Sequence, residues 1–215
     1  LSGETGEADI RQWPRVSCFV ASCQALELIM EALWVSTGLV ALAEIGDKTQ
    51  LLAIVLAARF RQPVPIILGI LVATLANHAL AAWAGILVGD ILNGPAFQIA
   101  VGIAFILMAG WTLIPDKADD GAAERRAGGV FLTTLVTFFL VEMGDKTQIA
   151  TALLAARFQD IILVTAGTTL GMMLANVPAV LVGDRITRLV PLGAVRIVAA
   201  AVFAAIGIWI LVAAL

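Results

Sequence analysis

Six long stretches of this chain almost exclude charge, and that limits its possible folds more than any other feature. They run about Ala32–Ala58, Val64–Val88, Ala96–Ile114, Val130–Ala156, Ile161–Val182 and Val190–Leu215. A bilayer core is ~30 Å thick, and a helix needs ~20 residues to cross it. In lipid each backbone N–H and C=O must be paired internally, so isolated spans of this length become helices. The expected fold is an all-α membrane protein with six transmembrane helices. Composition agrees, with 61% hydrophobic and 13% charged residues. Soluble chains are about half apolar and about a quarter charged. The net charge is −3, with no basic stripe. The lipid bilayer is therefore the expected surrounding, and no nucleic-acid partner is expected.

The chain is built twice. Aligning Glu44–Phe60 with Glu142–Phe158, an offset of 98, gives eleven identities in seventeen positions. The shared ends are EIGDKTQ with EMGDKTQ, and LAARF with LAARF. The same offset pairs Phe105 with Phe203 and Trp111 with Trp209. Leu75-Ala76-Asn77 pairs with Leu174-Ala175-Asn176 at offset 99, and Gly89-Asp90 with Gly183-Asp184 at offset 94, so span five is shortened. This divides the chain into residues 30–114 as a first three-helix repeat and 130–215 as a second, joined by a polar linker, 115–129. Residues 1–29 fit neither repeat and read as an N-terminal extension or tail. Cys18 and Cys23 lie in that segment and read as incidental thiols, since no partner pair completes a zinc site.

An odd number of spans per repeat makes the second repeat enter the membrane from the opposite side. The expected plan is two inverted repeats about an axis in the membrane plane, with a site at the midplane between them. Charges between the spans set the orientation. Loops one, three and five hold Arg59 and Arg61, then Lys117, Arg125 and Arg126, then Arg185 and Arg188. Loop two holds no Lys or Arg, and loop four holds Arg157 alone. The positive-inside rule puts the odd loops in the cytoplasm and both termini outside.

The two motifs carry the chemistry. The midpoints of spans one and four are residues 45 and 143, so six charged side chains sit near the bilayer centre. Each costs at least ~2.5 kcal/mol there, and an ionisable group at that depth marks a functional site by default. On a continuous helix Glu44 and Asp47 are i,i+3 neighbours on one face, as are Glu142 and Asp145. A twofold would bring all four carboxylates together as a metal site. Oxygen donors suit hard cations such as Mg²⁺, Ca²⁺ and Mn²⁺. Thr49, Gln50, Asn77, Thr147, Gln148 and Asn176 are the candidate supporting ligands. Gly46 and Gly144 allow close helix approach or a local distortion. Lys48 and Lys146 lie i+4 from Glu44 and Glu142 and are read as charge-balancing partners.

Four carboxylates and two lysines sum to −2. One divalent cation or two protons brings that set to zero, and a low-dielectric site favours neutrality. Exchange of a divalent cation for about two protons follows as the expected activity, with Glu44 and Glu142 as proton carriers. The competing reading is that acids and lysines merely join the helices. Other charged or polar residues read as structural. His78 is expected to pack at a helix interface, Arg59 and Arg157 to anchor at the membrane surface, and Asp90 and Asp184 to sit in solvated turns. The tryptophans carry no assigned role.

EIGDKTQ and EMGDKTQ in a six-span, two-half chain resemble the E-x-G-D-[KR]-[TS] family, known as uncharacterised protein family sixteen. It includes Mne-type manganese exporters and Gdt-type Golgi exchangers for calcium and manganese. The resemblance covers about Met30–Leu215, and LAARF and Gly167–Asp184 also look like family text. It implies a cation/proton antiporter rather than an enzyme, with Mn²⁺ or Ca²⁺ as transported substrate and no cofactor. It further implies manganese export across a bacterial inner membrane, with Glu44, Asp47, Glu142 and Asp145 as the cation ligands. A passive cation channel and an intramembrane metal-dependent enzyme are the alternatives. The topology is testable by thiol labelling on a background with Cys18→Ser and Cys23→Ser. Asp120→Cys is expected to react with an impermeant reagent only from the cytoplasmic side; labelling from outside would reverse the orientation.

Overall fold

A computed structural model describes residues 30–91, 94–114, 129–183 and 192–214. The segment before residue 30, most of the linker, Asp184 and the arginines of loop five lie outside them. Among the described residues all regular structure is helical. In chain order the helices are α1 (30–44), α2 (Lys48–Phe60), α3 (Pro63–Ile91) and α4 (Pro95–Thr112), then α5 (Gly129–Glu142), α6 (Lys146–Phe158), α7 (Ile161–Val182) and α8 (Leu192–Ala214). Each half therefore has two short helices followed by two long ones.

The long helices are the membrane elements. Pro63–Ile91, Pro95–Thr112, Ile161–Val182 and Gly193–Ala214 are long and apolar enough to cross a bilayer. Their starts suit helix chemistry: Pro95 occupies the first turn of α4, where its missing N–H costs nothing, and the Asp160 side chain caps α7 by accepting from Leu163 N at 2.8 Å. Spans one and four, expected from the sequence as single helices, are instead broken in the middle, between α1 and α2 and between α5 and α6.

Burial runs opposite to that of a soluble protein. Trp34, Val64, Leu107, Ile162, Leu174 and Val212 are exposed, while Ser36, Thr74, Asn77, His78, Thr134, Thr151, Thr168 and Asn176 are almost completely buried. An apolar exterior of this extent needs lipid rather than water around it, so the chain is a membrane protein. Between the polar layers sit two apolar clusters. One contains Leu39, Val101, Phe105, Leu154 and Phe203; the other contains Leu52, Leu56, Ile66, Ile70 and Phe138.

The halves interlock rather than pack as separate bundles. Helix α3 lies against α5, α6 and α7, α2 lies against α7, and α4 pairs with α8. Small residues make this approach possible. A Cβ on Gly69 would stand 2.8 Å from the Thr134 Cβ and 3.0 Å from the Phe131 carbonyl oxygen. A Cβ on Gly167 would stand 2.9 Å from the Ser36 Cβ and 2.7 Å from the Leu33 carbonyl oxygen. All three residues shift by 98, so one contact occurs twice with the halves exchanged. Phe105 and Phe203, equivalent by the same offset, meet each other with ring centroids 6.1 Å apart.

Gly85 is the tightest of these approaches, since an added Cβ would run into the Ala152 carbonyl oxygen. Gly85→Val is expected to destabilise the protein by about 1–3 kcal/mol, the usual cost of overpacking. A thermal unfolding series in detergent reads this out. Gly38→Ala, which has nothing within 4 Å of its added Cβ, should not lower the midpoint.

Candidate cation site

The site is made by two interruptions of helix. Helix α1 ends at Glu44 and α5 at Glu142. Gly46 then takes φ +83° and Gly144 φ +80°, a left-handed conformation that glycine adopts without a Cβ clash. Asp47 (φ −79°, ψ 167°) and Asp145 (φ −77°, ψ 168°) are extended and begin α2 and α6. The expectation that each Glu–Asp pair is i,i+3 on one continuous helix is thereby corrected. The glycine between the acids reverses the chain locally, and each Asp stands at a helix start instead of one turn along. Neither Asp side chain caps its own helix. The carbonyl ends of α1 and α5, which carry partial negative charge, close on the same region.

Both breaks are held by the same bonds. Thr49 Oγ1 donates to Glu44 Oε2 at 2.7 Å, and Thr147 Oγ1 to Glu142 Oε1 at 2.7 Å. Gly46 N–H donates to Gln50 Oε1 at 2.9 Å, and Gly144 N–H donates to Gln148 Oε1. Gln50 Nε2 also donates to the Ala175 carbonyl at 3.0 Å, tying the first break to α7. The motif's Thr and Gln thus orient the acids and brace the non-helical backbone. Asn77 Nδ2 donates to the Phe139 carbonyl and Asn176 Nδ2 to the Met172 carbonyl, so both amide oxygens are left facing away from those bonds.

One carboxylate oxygen each of Glu44, Asp47 and Asp145 lie within 4.8 Å of one another. The trio draws on both halves, and all three residues are buried. Glu142 stands outside that trio but is an electrostatic neighbour of Glu44, Asp145, Asp47 and Lys48. Glu44 Oε1, Glu142 Oε2, Asp145 Oδ2, Asn77 Oδ1 and Asn176 Oδ1 are buried without a hydrogen-bond partner. Leaving such atoms unsatisfied is costly, and a cation coordinated by oxygens would satisfy them.

The lysines differ from the expected arrangement. Lys48 Nζ pairs with Asp145 Oδ1 at 2.8 Å, across the halves, and not with Glu44. The break removes the i,i+4 geometry that a continuous helix would have supplied. Lys146 Nζ donates to the Ile114 carbonyl at 3.1 Å and lies 5.9 Å from the centroid of the Trp111 ring.

Comparison with known proteins identifies the family. The family model described as "Divalent cation/proton antiporter GDT1" matches residues 32–120 and 130–215. The chain belongs to the GDT1 family. A Vibrio cholerae serotype O1 protein described as a "Putative manganese exporter" is 51% identical over 178 residues, covering 82% of this chain and 88% of that one. "GDT1-like protein 3" from Oryza sativa, in both the indica and japonica subspecies, is 27% identical over 183 residues, covering 73% of this chain and 64% of the relative. No solved structure matches. As a GDT1 member, the chain is a transporter that exchanges a divalent cation for protons, and not an enzyme.

Two residues at the GDT1 motifs were not legible from the motif text. A small cavity touching Gly46, Asp47, Asp145 and Lys146 is also lined by Thr112 and Arg196, from the end of α4 and the start of α8. Only the hydrophilic character of Arg196 in an otherwise uncharged span could have signalled it. His78 is buried, as expected, with neither ring nitrogen hydrogen-bonded. The positive φ at the breaks gives a direct test. Gly144 has nothing within 4 Å of an added Cβ, so Gly144→Ala probes conformation without a clash. It should cost about 1–2 kcal/mol of stability and slow transport, read by thermal unfolding and by flux; an unchanged protein would mean the break tolerates other conformations.

Proposed function

We propose that this chain exports Mn²⁺ in exchange for protons, through one cation site shared by its two halves near the membrane midplane. The observation that carries the reading is the Glu44–Asp47–Asp145 trio, which neither half could make alone. Glu142 completes the acidic set, with Asn77 and Asn176 oxygens as neutral donors and Thr49, Thr147, Gln50 and Gln148 as bracing groups. An all-oxygen set suits Mn²⁺ or Ca²⁺ over softer metals. Mn²⁺ is favoured because the bacterial relative at 51% identity is described as a "Putative manganese exporter".

In this reading the broken helices α1–α2 and α5–α6 each span the bilayer, giving six spans in two inverted repeats. The contact that recurs with the halves exchanged, and the Phe105–Phe203 meeting of equivalent residues, support that plan. Discontinuous helices whose ends face a midplane ion are the usual construction in such transporters. The membrane is a bacterial inner membrane, with both termini outside.

Lys48 supplies the antiport logic. Its ammonium occupies Asp145 in this structure, and an entering divalent cation competes for that same carboxylate. Metal binding would release Lys48, and protonation of the glutamates would restore the balance once the metal leaves. Inverted vesicles with an acid lumen test the function. Mn²⁺ uptake is expected, with proton efflux linked to it and Ca²⁺ carried more slowly at equal concentration. Glu44→Gln and Asp145→Asn should each reduce uptake to background. Wild-type rates in both variants would refute the site, and Ca²⁺ transport faster than Mn²⁺ would refute the choice of metal.

A further inference from the structure

The repeat offset of 98 pairs Thr112 with Ile210, and it pairs Gln98 with Arg196 within the matching runs Ala96-Phe97-Gln98-Ile99 and Ala194-Val195-Arg196-Ile197. These positions occupy two different cavities. Arg196 and Thr112 line the small cavity that reaches Asp47 and Asp145. Gln98 and Ile210 line a cavity of about 330 Å³, with Asp90 and Arg157, at the other ends of α4 and α8. The same two positions thus line one cavity at each end of the α4–α8 pair, and the Arg196 one touches the acids. The repeated position is a cation in that cavity and a neutral amide in the other.

We propose that Arg196 sets the cation affinity of the site on its own side of the membrane, acting as a fixed positive charge at the entrance to Asp47 and Asp145. It is a positioning and affinity residue, not a ligand. A membrane-surface anchor would present its guanidinium to lipid headgroups, as arginines near helix ends commonly do. Arg196 is half-buried and lines the acidic cavity instead. Arginine stays protonated at all relevant pH, so its repulsion is permanent, whereas a lysine or carboxylate can adjust. The Coulomb term grows with the charge of the ion, so a divalent cation is repelled twice as strongly as a monovalent one. The result is a transporter that loads from the Arg196 side only when the metal is abundant. On the Gln98 side the repeated position is a neutral amide, and the cavity there holds Asp90 together with Arg157, so binding from that side escapes the Arg196 penalty.

This inference rests on the carboxylate-site reading above, and the experiment separates the two. Mn²⁺ uptake into inverted vesicles samples the Arg196 side, and the reverse exchange in right-side-out vesicles samples the Gln98 side. Arg196→Gln is expected to lower the half-saturating Mn²⁺ concentration on the order of 10-fold in inverted vesicles, and to leave it unchanged in right-side-out ones. Raising ionic strength should shrink the difference. Arg196→Lys keeps the charge and should behave as wild type. Gln98→Arg should raise the half-saturating concentration in right-side-out vesicles, and it tests the idea even where Arg196→Gln fails to fold. An unchanged or raised value for Arg196→Gln would overturn the proposal. So would equal effects of Arg196→Gln and Arg196→Lys, which would mark packing and not charge. Transport surviving Asp145→Asn would instead overturn the site reading beneath it.

Discussion

Carboxylates held between apolar helices, away from water, are the constraint on which the rest of this structure depends. A buried anion is tolerated only when paired and hydrogen-bonded. The chain meets that demand by interrupting two helices at the acids themselves. Each interruption frees backbone groups that lipid could not satisfy, and the motif contains the residues that satisfy them. Gln50 and Gln148 accept from the glycine N–H groups, and Thr49 and Thr147 donate to the glutamates. The seven-residue run of each motif is therefore one structural unit.

That unit would be useless alone, because the acids of one half do not surround an ion. The interlocking of α3 with α5 and α6, and of α7 with α1 and α2, brings the two breaks together. Glycine at Gly69, Gly85, Gly167 and Gly171 sets the depth of that interlock, since each would drive a Cβ to within 3.0 Å of a neighbouring backbone or side chain. Packing specificity and cation chemistry are thus coupled through small residues far from the acids in sequence. The Lys48–Asp145 pair crosses the same interface, so the proposed loading of the site would act on the contact between the halves.

Divalent cation/proton exchange is the activity of the GDT1 family, and the function proposed above draws on this arrangement. A site with several carboxylates and few cations can be neutralised either by a metal or by protons, and low dielectric opposes any state between. Asymmetry enters through the residues around the cluster. The motifs are near copies, yet Arg196 beside them has Gln98 as its equivalent. In the proposal made above, that difference lets one binding site treat the two sides of a membrane differently.

Much of this was legible in the residues. Long uncharged runs require helices in lipid, the 98-residue offset exposes the duplication, and the acids at residues 45 ± 2 and 143 ± 2 locate the chemistry in the middle of their spans. The sequence by itself therefore determined the membrane class, the two halves and the acidic cluster, because hydropathy and repetition are properties of the chain. Only the tertiary structure decided that the helices break. A glycine between two acids permits a left-handed φ but equally permits a helix, and the choice depends on whether Gln50 and Gln148 can take up the freed N–H groups. Tertiary packing also decided that Lys48 serves Asp145 and that Arg196 stands beside the acids. Those partners lie 51 residues or more apart in the chain, and no local pattern encodes a contact across that distance.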